Sequence, residues 1–151
     1  MGAEQDDNAA RKSWMSLLAK APPARLAALF DARGARPDFA WLRPPEVGGV
    51  MLRGRMGGTG APFNLGEMTV TRCALRLATG EVGHAYVQGR DKAHAERAAL
   101  VDALMQTTEA GTVAQTVLEP LTREQAKAKA ARASKAAATK VDFFTMVRGE
   151  D

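Results

Sequence analysis

Thr71-Arg72-Cys73-Ala74-Leu75-Arg76-Leu77-Ala78-Thr79-Gly80-Glu81-Val82-Gly83-His84-Ala85-Tyr86-Val87-Gln88 is the stretch that decides the fold. Thr71, Cys73, Leu75 and Leu77 alternate with Arg72, Ala74 and Arg76, the two-residue period of a half-buried strand, which predicts a strand over 67–77. Thr79-Gly80 reads as a hairpin turn, and Val82 to Gln88 as the return strand. Upstream, Val50, Met51 and Leu52 between glycines predict a strand over 47–55, with Trp41 to Arg43 extended before Pro44-Pro45. Gly57, Gly58, Gly60 and Pro62 then make a loop. Three antiparallel strands in sequence suit a meander with one face covered by helices.

The helical signals lie on either side. Asp7 or Asn8 is placed to cap a first helix through Trp14, Leu17 and Leu18, with Trp14 as a core anchor. Pro22-Pro23 suits the first turn of a second helix, Ala24 to Ala32, with Leu26, Leu29 and Phe30 inward and Gly34 at its end. From Asp91 to Gln106, Ala95, Ala98, Val101, Leu104 and Met105 share one helical face. Thr112 to Leu118 is apolar and β-branched and predicts a short strand closed by Pro120. Thr122-x-x-Gln125 is a capping-box pattern opening an Ala/Lys/Arg helix to about Thr139. The tail Val141 to Val147 regains large apolar residues as a last strand or a docking segment. The class is α+β in one domain, 1–151. Residues 9–34 are its helical start, 40–120 the sheet with its covering helix, and 121–151 a basic helix with an apolar tail.

Composition sets bounds on function. The chain has 151 residues, 46% hydrophobic and 25% charged, as in an ordinary soluble domain. Aromatics are only 5%; with alanine supplying much of the apolar count, a thin core is expected, one that partner subunits help to complete. Cys73 is the lone cysteine, best read as a small buried hydrophobe, and excludes an internal disulfide. Met1 to Asn8 lacks the features of a secretory leader, and no apolar run approaches the ~20 residues of a membrane span, so a cytoplasmic protein is expected. The net charge is +4, concentrated between Arg123 and Lys140, where six basic residues face Glu124 alone. No aromatics interleave with them, which argues against a platform for single-stranded nucleic acid. His84 and His94 with one cysteine predict no metal site.

Three segments concentrate polar chemistry. Gln88-Gly89-Arg90-Asp91-Lys92-Ala93-His94-Ala95-Glu96-Arg97 lies where the strand meets the helix. Gly89 permits a sharp turn, and Asp91 can cap the helix. His94, three residues on, could meet Asp91 across a turn, a contact that would fix its tautomer for proton transfer. The turn reads equally as a charged, solvated first helical turn. Arg55-Met56-Gly57-Gly58-Thr59-Gly60 could converge amides and a hydroxyl on an anion, or be a plain hairpin loop. Val141-Asp142-Phe143-Phe144-Thr145-Met146-Val147-Arg148-Gly149 places two adjacent phenylalanines near the chain's end.

Taken in order, these strings, with Ala103-Leu104-Met105-Gln106 and Trp14-Met15, resemble the PhnG family, the G subunits of the bacterial carbon–phosphorus lyase system. The likeness runs from about Arg11 to Gly149. It implies a role in phosphonate catabolism alongside H, I, J and K subunits, with a functional link to an ATP-binding L protein. With H, I and L, such a subunit is required for methylphosphonate to displace adenine from MgATP, giving a ribose 1-methylphosphonate 5-triphosphate. Alone it is expected to be inactive and to hold no cofactor. Under this reading Arg55, Gly57, Gly58, Thr59, Arg90 and Lys92 bind anionic oxygens. His94, oriented by Asp91 or Glu96, is the proton-transfer candidate, and Phe143, Phe144, Met146 and Arg148 dock a partner. The competing reading is a purely structural assembly subunit with no active-site residue. A small nucleic-acid binder, suggested by charge alone, is a third.

Overall fold

The computed structural model describes residues 2–55 and 60–149, with the side chains of residues 2–4, 64 and 140–149 outside that description. Two helices, α1 (Gly2–Lys20) and α2 (Pro23–Ala32), precede three strands, β1 (Phe39–Arg55), β2 (Pro62–Leu77) and β3 (Val82–Gln88). Helix α3 (Lys92–Leu104) follows, then a short α4 (Ala110–Val113), a π-helical turn (Ala114–Leu118) and α5 (Glu119–Gly149). The strands form one antiparallel sheet in the order β1-β2-β3, the expected meander. Gly80 closes the β2–β3 turn with φ +108° and a 2.8 Å bond from its N–H to the Leu77 carbonyl. That left-handed conformation explains why glycine stands there.

The alternation read in β2 is the burial pattern observed. Thr71, Cys73, Leu75 and Leu77 are buried against α3, as are Ala85 and Val87 of β3, while Arg72 and Arg76 are exposed on the other face. Helix α3 is buried well beyond one stripe, with every residue from Ala98 to Leu104 inside. The sheet lies on one side of it, and α1, α2 and α4 pack against the rest. The core is alanine-rich, as expected, and built for close approach. A Cβ on Gly83 would lie 2.0 Å from the Ala99 carbonyl oxygen and 2.9 Å from the Ala103 Cβ. Glycine on β3 and alanines on α3 therefore let helix and strand touch backbone to backbone.

Several boundaries differ from the sequence expectation. Helix α1 begins at Gly2, so Asp7 and Asn8 lie within it and do not cap it. Strand β1 runs through Pro44-Pro45, where a break was expected. It is an edge strand, and register slips between Trp41 and Arg43 and between Arg43 and Glu46 leave both prolines outside the paired positions. Strand β2 starts earlier than predicted, at Pro62. Thr112 to Leu118 is helical, not a strand; its apolar residues Val113, Val117 and Leu118 recur at helical spacing and bury one side. The capping box at Thr122 is not formed. Thr122 lies inside the helix and its hydroxyl donates to the Leu118 carbonyl at 2.8 Å. Gly34, at φ +129°, follows α2 as expected.

Among the residues whose side chains are described, Leu121 is the last buried one, and α5 is exposed from Thr122 to Thr139. The helix then continues to Gly149, so the backbone of the tail, read as a last strand or a docking segment, is helical and not a strand. The side chains of Phe143, Phe144, Met146 and Arg148 lie outside the described residues. Among the described residues no helix is long and apolar enough to cross a membrane.

Candidate functional site at the start of α3

The polar turn after β3 is built as the sequence suggests at its backbone and differently at its histidine. Gly89 takes φ +93°, and its N–H donates to the Thr69 carbonyl at 2.8 Å. The Thr71 hydroxyl donates to the Gly89 carbonyl at 2.7 Å, which pins the exit of β3 to β2. Asp91 is the N-cap of α3, its carboxylate accepting the His94 backbone N–H at 2.9 Å. This satisfies one of the helix's orphan donors and places a negative charge at the positive end of the helix dipole.

The expected Asp91–imidazole contact is therefore not made. The carboxylate is committed to the backbone, and the His94 ring turns inward, 2% exposed, with Nε2 donating to the Leu18 carbonyl at 2.8 Å. A carbonyl only accepts, so this bond requires the proton on Nε2. Nδ1 is buried without a partner. Glu96 does not orient the ring either; its carboxylate pairs with Arg36 at 3.2 Å. His94 thus fastens α3 to the end of α1, and Glu96 fastens it to the segment after α2.

Arg90 and Lys92 are exposed beside the start of α3 and make no ion pair among the described residues. Arg55 is not with them. It pairs with Pro62 at the far end of β2, whereas Gly89 bonds to Thr69. Seven residues of extended strand separate those points, roughly 20 Å. Arg55 and the α3 turn therefore do not converge within one chain. Gly57, Gly58 and Thr59 lie outside the described residues.

Cys73 underlies the turn, with Sγ donating to the Ala95 carbonyl at 3.4 Å. Burial, with a smaller contribution from the charge of Glu96, pushes its thiol up to about 11. The thiolate is thus scarce at neutral pH, and native Cys73 should react with a thiol reagent at pH 8 far more slowly than the unfolded chain. A thiol whose folded pKa is raised keeps its proton in the native state after the unfolded chain has lost it. Folding stability should therefore fall as pH rises from about 9 towards 11. Urea midpoints of the wild type against Cys73→Ala, whose midpoint lacks this component, measure the slope.

The most elaborate polar constellation was not singled out in the sequence. Asp102 is fully buried in α3. Its carboxylate accepts from Arg11 Nε at 3.1 Å, Arg11 Nη2 at 2.9 Å, Trp14 Nε1 at 2.8 Å and the His84 backbone N–H at 2.9 Å. The bond to Asp102 holds the Arg11 guanidinium still more firmly protonated. Arg11 also donates to the Val82 carbonyl at 3.3 Å, and Gln106 to the same oxygen at 2.8 Å. One carboxylate thereby ties α1, α3 and the edge of β3 together. A signal existed: Asp102 interrupts an alanine-leucine-valine run, while Arg11 and Trp14 stand three residues apart on one helix face.

Comparison with known proteins gives consistent matches. The family model of the phosphonate metabolism protein PhnG matches residues 9–149. The alpha-D-ribose 1-methylphosphonate 5-triphosphate synthase subunit PhnG of Rhizobium meliloti (strain 1021) is 47% identical over 143 residues, covering 95% of this chain and 92% of that protein.

Proposed function

The chain belongs to the PhnG family of phosphonate metabolism proteins, and from that premise we propose that it is the G-type subunit of a synthase acting on MgATP and methylphosphonate. The observation that carries this reading is the near-full-length likeness to the Rhizobium synthase subunit. In the reaction, a phosphonate oxygen bonds to C1′ of the nucleotide as the bond from C1′ to adenine N9 breaks. The bonding pair leaves with adenine, which takes up a proton at a ring nitrogen. A β-nucleotide giving an α-product is the outcome of a single in-line displacement, so positioning of two anionic reactants is the main demand. The partners are the H and I subunits and the L protein for this step, with J and K in the wider carbon–phosphorus lyase assembly.

Within that assembly the chain contributes Arg90 and Lys92, two exposed cations at a helix start, to anionic oxygens. The second reading, an assembly subunit that touches no reactant, is favoured at one residue: the buried, hydrogen-bonded ring of His94 suits a structural role better than proton transfer.

Reconstitution tests both. Adenine release and a new phosphonate ester signal in phosphorus NMR should require this chain together with H, I and L. Equal product without it would sink the subunit reading. Arg90→Ala with Lys92→Ala should lower kcat/KM by about ten-fold or more with the complex intact, as loss of charge-stabilising groups does. Unchanged turnover leaves the scaffold reading. His94→Gln retains an N–H donor for Leu18, so near-wild-type turnover is expected; a collapse in rate with an intact complex would restore proton transfer to His94.

A further inference from the structure

The sheet has one face packed on α3 and one face left open. On the open face, Ala74 stands between Arg43 of β1 and His84 of β3, its cross-strand partners. Arg72 and Arg76 flank Ala74 along β2, with Tyr86 opposite Arg72 and Glu46 on its other side. Cross-strand neighbours lie about 5 Å apart and alternate residues about 7 Å apart, so three guanidiniums stem from positions around one small side chain. A depression of about 300 Å³ lies here, with Met15, Arg43, Arg72, Ala74, His84 and Tyr86 among its lining residues and Arg76 just beyond it on the same strand.

This face is charged and apolar at once. Tyr86 is 48% exposed, and Leu42, in the bulge next to Arg43, is 51% exposed. Among the described residues, no carboxylate lies within ion-pairing distance of Arg43, Arg72 or Arg76. Glu46 stands opposite Arg72 without pairing to it. Exposed arginine and tyrosine around a hollow is the composition of interface hot spots, not of an ordinary wet face. A second copy of this chain is a poor occupant, because a two-fold contact would set the same arginines against each other.

We propose that the open face around Ala74 is a docking surface for a different polypeptide of the synthase assembly, one that presents carboxylates around an apolar projection. The projection fills the hollow over Ala74, and the carboxylates pair with Arg43, Arg72 and Arg76. The contact is distinct from the C-terminal tail, and it rests on the reading of the chain as a synthase subunit.

Co-expression with the partner subunits tests it, with association followed by co-elution and by titration of the purified components. Arg43→Glu, Arg72→Glu and Arg76→Glu combined should weaken association at least a hundred-fold while leaving the melting curve of the free chain in place, since all three side chains are exposed. The matching lysine substitutions should retain most of the binding. Raising salt from 0.05 to 0.5 M should weaken wild-type association and affect the triple glutamate variant far less. A glutamate variant that assembles like the wild type overturns the proposal. So does one that assembles fully and loses only turnover, which would make the hollow a reactant site, or one whose sole defect is loss of self-association or of nucleic-acid binding. Failure of the wild-type chain to assemble at all would remove the subunit reading itself, and the docking surface with it.

Discussion

Asp102→Ala is expected to lower folding stability by about 3–5 kcal/mol, the cost of removing one partner from a buried charged network. The carboxylate has no exposure and four donors converge on it. Without it, the Trp14 indole N–H and the His84 backbone N–H lose their acceptor in a dry interior, each at about 1–3 kcal/mol. Arg11 is one-third exposed and can turn to water, so its share is smaller. For a chain of this length the loss corresponds to a fall in melting temperature of roughly 10 °C. Asp102→Asn keeps the shape and one good acceptor but turns an amide N–H2 towards donors, so about half that loss is expected. Urea titration of both variants measures the effect. A loss under about 1 kcal/mol for Asp102→Ala would mean that water or neighbouring carbonyls replace the carboxylate.

Gly83→Ala is expected to cost about 3 kcal/mol, the upper end of overpacking penalties. The new methyl would stand 2.0 Å from the Ala99 carbonyl oxygen. That obstacle is backbone in the middle of α3, so it moves only if the whole helix lifts from the sheet. Trimming the other neighbour should therefore not rescue the variant: Gly83→Ala with Ala103→Gly should remain at least as unstable as Gly83→Ala. Gly48→Ala is the control. A Cβ there meets nothing within 4 Å, and its effect should stay within about 0.5 kcal/mol. Rescue by Ala103→Gly would show that side-chain crowding, not helix–strand contact, sets the cost.

Both sites show how far the sequence could be read. The period of β2 was legible because one face of the strand is buried and the other wet, and that asymmetry is written into Thr71 to Leu77. The Thr79-Gly80 turn, the Gly89 turn and the Asp91 cap were legible because each is decided by residues adjacent in the chain. The 112–118 segment was misread as a strand because β-branched residues suit either structure, and burial against α2 and α3 decides between them. Pro44-Pro45 was misread as a break because only the sheet order reveals that β1 is an edge. The inward turn of His94 depends on the Leu18 carbonyl, 76 positions away in the chain.

By itself, then, the sequence determined the α+β class, the meander, the polar turn before α3 and the family, because strand period, turn chemistry and ordered motifs are local properties. Tertiary structure alone decided that Asp102 is the polar hub, that Gly83 is the contact point of helix and sheet, and that Arg55 stands apart from Arg90. It also gathered Arg43, Arg72 and Arg76 around Ala74. Each of these depends on strand register and helix docking, which bring distant residues together through packing that no short stretch of the chain encodes.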